Sequence, residues 1–139
     1  MSKRNIYTYV MPREFRGYNI PISIQSQYIK NYAETNGYKF MLPVTELIHN
    51  QSYNNFIEFS KKNILNLAMT SIFVLPVRDI INCKKITKKF SNKCIFHFVL
   101  ENLKFNKKDL LNWIFEFNKI DTLIYDYKSF NETKILQRK

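Results

Sequence analysis

The sequence predicts an α/β domain in which a mostly parallel sheet of four to five strands lies between two layers of helices, a three-layer α/β/α sandwich. Short apolar runs of strand length alternate with segments of helical period four times along the chain. Two of the runs, 72–75 and 94–100, are almost continuously apolar, as strands covered on both faces are. A chain of 139 residues suits one domain able to bury a core, so residues 1–139 are read as a single unit. Right-handed crossovers join successive parallel strands. Strand order 2-1-3-4-5 would put the point where the order reverses beside the first strand, where open α/β sheets bind ligands.

The first strand covers 6–11. A loop, 12–20, carries Arg13, Arg16 and Gly17, one of only two glycines in the chain. Pro21 opens a helix, since its missing N–H costs nothing at that position. Gln25, Tyr28, Ile29, Tyr32 and Ala33 recur there at helical spacing, and Asn36-Gly37 stops it. The second strand is 38–44, with Pro43 near its end and Thr45-Glu46 at its tip. His49 to Ser52 is polar and leads to a second helix, with Ser52 as its cap and Tyr53, Phe56, Ile57, Ile64, Leu67 and Ala68 as its apolar face. The third strand, 72–75, ends at Pro76, leaving Arg78 and Asp79 at its tip.

A third helix, 80–90, turns Ile86 and Phe90 inward. Lys84/Lys88 and Lys85/Lys89 are like-charge pairs one turn apart, which cost a little stability. The fourth strand, 94–100, is broken only by His97 and has Glu101-Asn102 at its tip. A fourth helix begins near Asn106, with Asp109 suiting its first turn and Leu110, Leu111, Ile114 and Phe117 facing the core. Residues 122–127 read as a fifth, edge strand, and the polar tail from about 128 as frayed.

Lysine and arginine number 22 against 11 acidic residues, a formal net charge of +11. Such a balance draws polyanions, nucleic acid first. Asn, Lys, Ile, Tyr and Phe are enriched together, however, and all have A/T-rich codons, so part of the lysine reflects base composition. No apolar run reaches the roughly 20 residues of a membrane span, and the N-terminus has no secretory apolar region; the expected location is cytoplasmic. Cys83 and Cys94 are not a close pair, and His49 and His97 complete no metal-ligand spacing. The cysteines are read as reduced, and no metal or cofactor is expected.

The tips of parallel strands gather along one edge. They would bring Arg13 and Arg16, Thr45 and Glu46, Arg78, and Glu101 together, with Gln25 one helical turn further off. Arginine grips phosphate or carboxylate through paired hydrogen bonds. Glutamate accepts sugar hydroxyls or serves as a base. Glu46, Glu101 and His97 are the candidate acid–base groups, and the whole set suits a polar, phosphorylated or glycosidic small molecule. The bland alternative is that these charges solvate strand ends, as in any α/β protein. His97 in an apolar strand is more often a hydrogen-bonded core residue. No glycine-rich phosphate loop and no dinucleotide fingerprint is present.

Arg13, Phe15, Gly17, Ile20-Pro21, Gln25, Tyr32, Thr45-Glu46, His97-Phe98 and Glu101 together resemble the sporadic carbohydrate cluster proteins, small bacterial proteins encoded among genes for surface-glycan synthesis. The resemblance spans about residues 6–105. It implies a role in surface carbohydrate synthesis and a sugar, sugar-phosphate or nucleotide-sugar ligand. It fixes no reaction. The family's loop carries a serine before the arginine, where this chain has Pro12. More distantly the chain is similar to the catalytic domain of serine recombinases, which implies a flavodoxin- or resolvase-like sheet. The loop after the first strand holds no serine, so strand transfer through a covalent phosphoserine has no nucleophile there. Two other functions compete with the sugar ligand. One is nucleic-acid binding through the lysines of 80–93 with Lys104, Lys107 and Lys108. The other is a non-catalytic partner that forms a homodimer through Trp113, Phe115 and Phe117.

Overall fold

The computed structural model describes residues 3–48 and 52–137; His49, with Asn50 and Gln51, lies outside them. The elements run β1 (Arg4–Val10), α1 (Ile22–Thr35), β2 (Tyr38–Thr45), α2 (Asn54–Phe59), β3 (Asn66–Met69), α3 (Ile80–Thr87), β4 (Ile95–Phe98), β5 (Leu103–Phe105) and α4 (Lys107–Gln137). One five-stranded sheet results, in the order β2-β1-β3-β4-β5. All pairings are parallel except β4 with β5. Strand order and fold class are as the sequence predicts.

Alternation along the strands sorts the core into two layers. Ile6 and Val10 of β1 and Ala68 of β3 face α1, where Ile29 and Ala33 meet them. Tyr9 of β1, Leu67 and Met69 of β3, and Phe96 and Phe98 of β4 point to the other face and pack against α2, α3 and α4. Phe56, Phe90 and Phe96 form the centre of that larger layer, with ring centroids 5.1 to 6.1 Å apart. Fully burying each such ring contributes about 3 kcal/mol at most.

Helix α1 starts after Pro21 and ends at Asn36, with Gly37 at φ 77° in the left-handed region that glycine enters without strain. Its buried residues, Gln25, Ile29 and Ala33, are four apart. Strand β2 lies at the edge of the sheet. Ile6 pairs with Phe40 and Thr8 with Pro43, so β2 holds one extra residue there. Such a bulge, with a proline that offers no N–H, blunts an open edge against pairing with other chains.

Three expected elements are corrected. The second helix does not run to Ala68: it tightens into a 3-10 turn, Ser60–Lys62, and stops at Asn63, which is left-handed at φ 51°. The third strand is therefore Asn66–Met69, four residues all buried. Being covered on both faces, it shows no alternation, and its Leu67 and Ala68 fall by coincidence on the helical period. The apolar run expected as that strand is a 3-10 turn, Ile72–Val74, whose Ser71 Oγ accepts from Phe73 N at 3.1 Å. Lastly, 122–127 is not a strand. Neither glycine nor proline interrupts the chain after Pro76, so α4 continues through that segment and through the expected frayed tail to Gln137. The fifth strand is instead Leu103–Phe105, antiparallel to β4, and Glu101-Asn102 form the turn between the two, with Asn102 at φ 53°.

Candidate functional site

The loop after β1 folds into a miniature hairpin. Phe15 and Tyr18 exchange both backbone hydrogen bonds, at 3.0 and 2.9 Å. The two residues between them, Arg16 at φ 50° and Gly17 at φ 76°, are both left-handed, the signature of a type I′ turn, which favours Asn, Asp or Gly at both positions. An arginine at the first position carries a cost of about 1–2 kcal/mol. Phe15 is buried and anchors the hairpin in the core.

Gln25 holds this loop in place. It is fully buried. Its Oε1 accepts from Met11 N at 3.0 Å, and its Nε2 donates to Met11 O at 2.6 Å and Ile20 O at 2.8 Å. The amide thus pairs with the end of β1 as another strand would, and ties both ends of the loop to α1.

Beneath the hairpin is a cavity of about 690 Å³. Arg13, Arg16 and Arg78 line it together with the aromatic residues Phe15, Tyr53, Phe73 and Phe117, and Glu14 is the one carboxylate among the lining residues. Arg16 lies over the Phe73 ring, 4.0 Å from its centroid. Arg13 sits 5.3 Å from the Tyr53 centroid, and its Nη2 donates to Ser52 O at 2.7 Å. Among the described residues the buried Arg13 Nη1 has no hydrogen-bond partner, which leaves a charged donor unspent beside the cavity. Arg78 is largely exposed and meets Asp121 of α4 at 3.6 Å. Burial raises the Tyr53 phenol and outweighs the lowering by Arg13, so the ring stays neutral, a donor and a stacking face.

The structure brings the three predicted arginines together and places the other candidates elsewhere. Glu46 is 2% exposed and saturated. It accepts from Tyr9 Oη at 2.8 Å, from its neighbour Leu47 N at 2.8 Å, and from Asn55 N and Phe56 N at 3.1 Å. It caps the start of α2 from another element. Thr45 is exposed at the end of β2, where its carbonyl accepts from Asn55 Nδ2 at 2.7 Å. Glu101 does the same service for the 3-10 turn 72–74, accepting from Ser71 Oγ at 3.1 Å and from Ile72 N.

His97 is fully buried on the α1 face of the sheet. Its Nε2 bonds Asn66 Oδ1 at 2.9 Å and its Nδ1 bonds Tyr32 Oη at 2.8 Å. Asn66 Oδ1 can only accept, so Nε2 carries the proton and Nδ1 accepts from the phenol. Burial, helped by Lys104, pushes the imidazole down to about 4. Both cysteines are buried and free, and burial raises each thiol to about 12, so neither is a nucleophile. Among the described residues no group of three or more His, Cys, Asp or Glu is placed to hold a metal ion, and no helix is long and apolar enough to cross a membrane.

The sequence reading missed Tyr53, Phe73 and Phe117 as cavity residues. All three had been assigned to core-facing elements, and the usable signal was the closeness of Phe73 to the arginine-bearing turn at Arg78.

No family model matches the chain, and no curated protein matches it. Among solved structures it is similar to the N-terminal catalytic domain of TP901-1 integrase, with a TM-score of 0.60 and 14% identity over 88% of this chain and 99% of that one. The likeness to serine recombinase catalytic domains is therefore one of fold, and this chain is an α/β domain of that architecture carrying an arginine-lined cavity.

Proposed function

We propose that the chain binds a phosphorylated sugar, as a sugar phosphate or nucleotide sugar, in the cavity beneath the hairpin, and that it does so in the cytoplasm in the synthesis of a surface glycan. The observation that carries the reading is the convergence of Arg13, Arg16 and Arg78 with four aromatic residues on one cavity of about 690 Å³. That volume is typical of small-molecule sites. Guanidinium groups take phosphate oxygens in pairs, and aromatic faces suit the apolar faces of a sugar or base. The strain at Arg16 supports it too, since a left-handed arginine persists only where its surroundings demand it. With Glu46 and Glu101 engaged in capping, the reading is one of binding, and the acid–base candidate inside the cavity is Glu14.

Titration calorimetry with sugar phosphates and nucleotide sugars tests it. Arg16→Ala and Arg78→Ala are each expected to weaken binding about tenfold or more, the worth of a charge-assisted hydrogen bond. Unchanged affinity in both variants would refute the assignment.

The exposed lysines of α3 and of the segment after it favour a second reading, nucleic-acid binding. Lys84, Lys85, Lys88, Lys89 and Lys93 are exposed, and none of the ion pairs among the described residues involves them. That reading requires retention on DNA or RNA that falls steeply with salt.

A further inference from the structure

Helix α4 outruns the body of the domain. Leu110 and Ile114 are buried in the core, and Asn118 Nδ2 donates to Val77 O at 2.7 Å. From residue 122 to 128 every described side chain is exposed, including Leu123, Ile124 and Tyr127. Residues 122 to 137 of the helix amount to about 24 Å at 1.5 Å per residue. A free helix of that length is marginal in water even when rich in alanine, and this one carries β-branched and aromatic residues of lower propensity.

The apolar residues form a line. Trp113, Phe117, Ile120, Ile124 and Tyr127 are spaced 4, 3, 4 and 3, the alternation of a seam between two helices. Its first two rings are covered by Phe73, at centroid distances of 6.5 and 5.7 Å. Ile120, Ile124 and Tyr127 are 56, 50 and 68% exposed.

We propose that a second copy of this chain closes the seam, its own α4 crossing antiparallel about a two-fold axis. A two-fold contact requires a face complementary to itself, and a line of apolar side chains without a charge in it meets that requirement. The flanking charges choose the direction. Asp121 and Lys128 lie on the same flank, seven residues apart. Antiparallel helices bring equivalent flanks together, so Asp121 meets Lys128 of the second copy, twice over. Parallel helices would instead oppose Glu116 to Asp121 of the second copy, like charge to like. Phe117 lines the cavity and Asp121 touches Arg78, so the second copy would lie at the cavity's mouth.

Sedimentation velocity of the full chain over a concentration series is expected to show a monomer–dimer equilibrium. Joint replacement Ile120→Asp and Ile124→Asp should weaken it by about a hundredfold or more, as loss of central anchors does, without changing the thermal melting of the core. Phe115→Asp, off the seam, should leave it unchanged. Lys128→Glu should weaken it up to about tenfold, and adding Asp121→Lys should restore it, which a parallel pairing would not do. A parent chain monomeric at every concentration overturns the proposal and assigns the face to a different partner. A dimer that survives both aspartates, or a charge swap without rescue, overturns it equally.

Discussion

Lowering the pH from 7 to 4 should destabilise this protein through His97, which is buried on the α1 face of the sheet. The imidazole is fully buried, with Asn66 on one nitrogen and Tyr32 on the other. Its folded pKa is about 4 against about 6.5 in an unfolded chain. The unfolded state therefore binds more protons between those values, and stability rises with pH across the window. The contribution is complete above about pH 6.5 and is lost as pH falls toward 4. At about 1.36 kcal/mol per pKa unit, roughly 2 kcal/mol is lost by pH 5 and roughly 3 kcal/mol by pH 4. Against a typical domain stability of about 5–15 kcal/mol, that is a large fraction. The loss from His97 is steepest from about pH 6.5 to 5, so that interval is where its slope is read. Urea unfolding at steps of pH gives the slope. The chain has two histidines, so a proton NMR titration reads His97 as the imidazole that stays neutral to about pH 4. Stability that is flat from pH 7 to 5, with both imidazoles titrating near 6.5, would refute the reasoning.

Two further outcomes follow from buried polar groups. Glu46→Gln keeps the shape of the side chain but turns an amide N–H₂ toward backbone donors, and should cost about 2–4 kcal/mol in urea unfolding; a change under about 0.5 kcal/mol would contradict its role as the cap of α2. Gln25→Leu strands the N–H and C=O of Met11 without partners. It should lower stability by about 2–4 kcal/mol and also weaken phosphate-sugar binding, because the arginine hairpin loses its tether; binding at parental affinity in the folded variant would show that the hairpin holds its place without the amide.

How much was legible in the sequence depended on whether a residue's environment is local. Helix α1 was readable because Gln25, Ile29 and Ala33 repeat on one face and Asn36-Gly37 punctuate its end. Strand β3 was not, since four residues buried on every side carry no period. The β-prone composition of 122–127 argued for a strand, but a helix already under way continues until something breaks it, and nothing there does. At the site, the arginines were legible as charges at strand ends. The fate of Glu46 and Glu101 was not, because a carboxylate that caps a helix from a distance looks the same in sequence as one waiting for substrate. Gln25 likewise had the polarity of a ligand contact, and only its two bonds to Met11 reveal a splint.

The reversal of β5 decides where the last third of the chain can go. Phe105 pairs opposite Phe96, near the start of β4, so α4 sets out from the rim farthest from the arginines, where Lys107 Nζ donates to Phe90 O. It must then climb the full height of the sheet, and it arrives at the cavity with Phe117 already nearly three turns along its course. A parallel last strand would have released the helix at the arginine rim and sent it back down. The antiparallel one turns it into a mast, stepped at the base of the domain and rising past the mouth of the arginine-lined cavity.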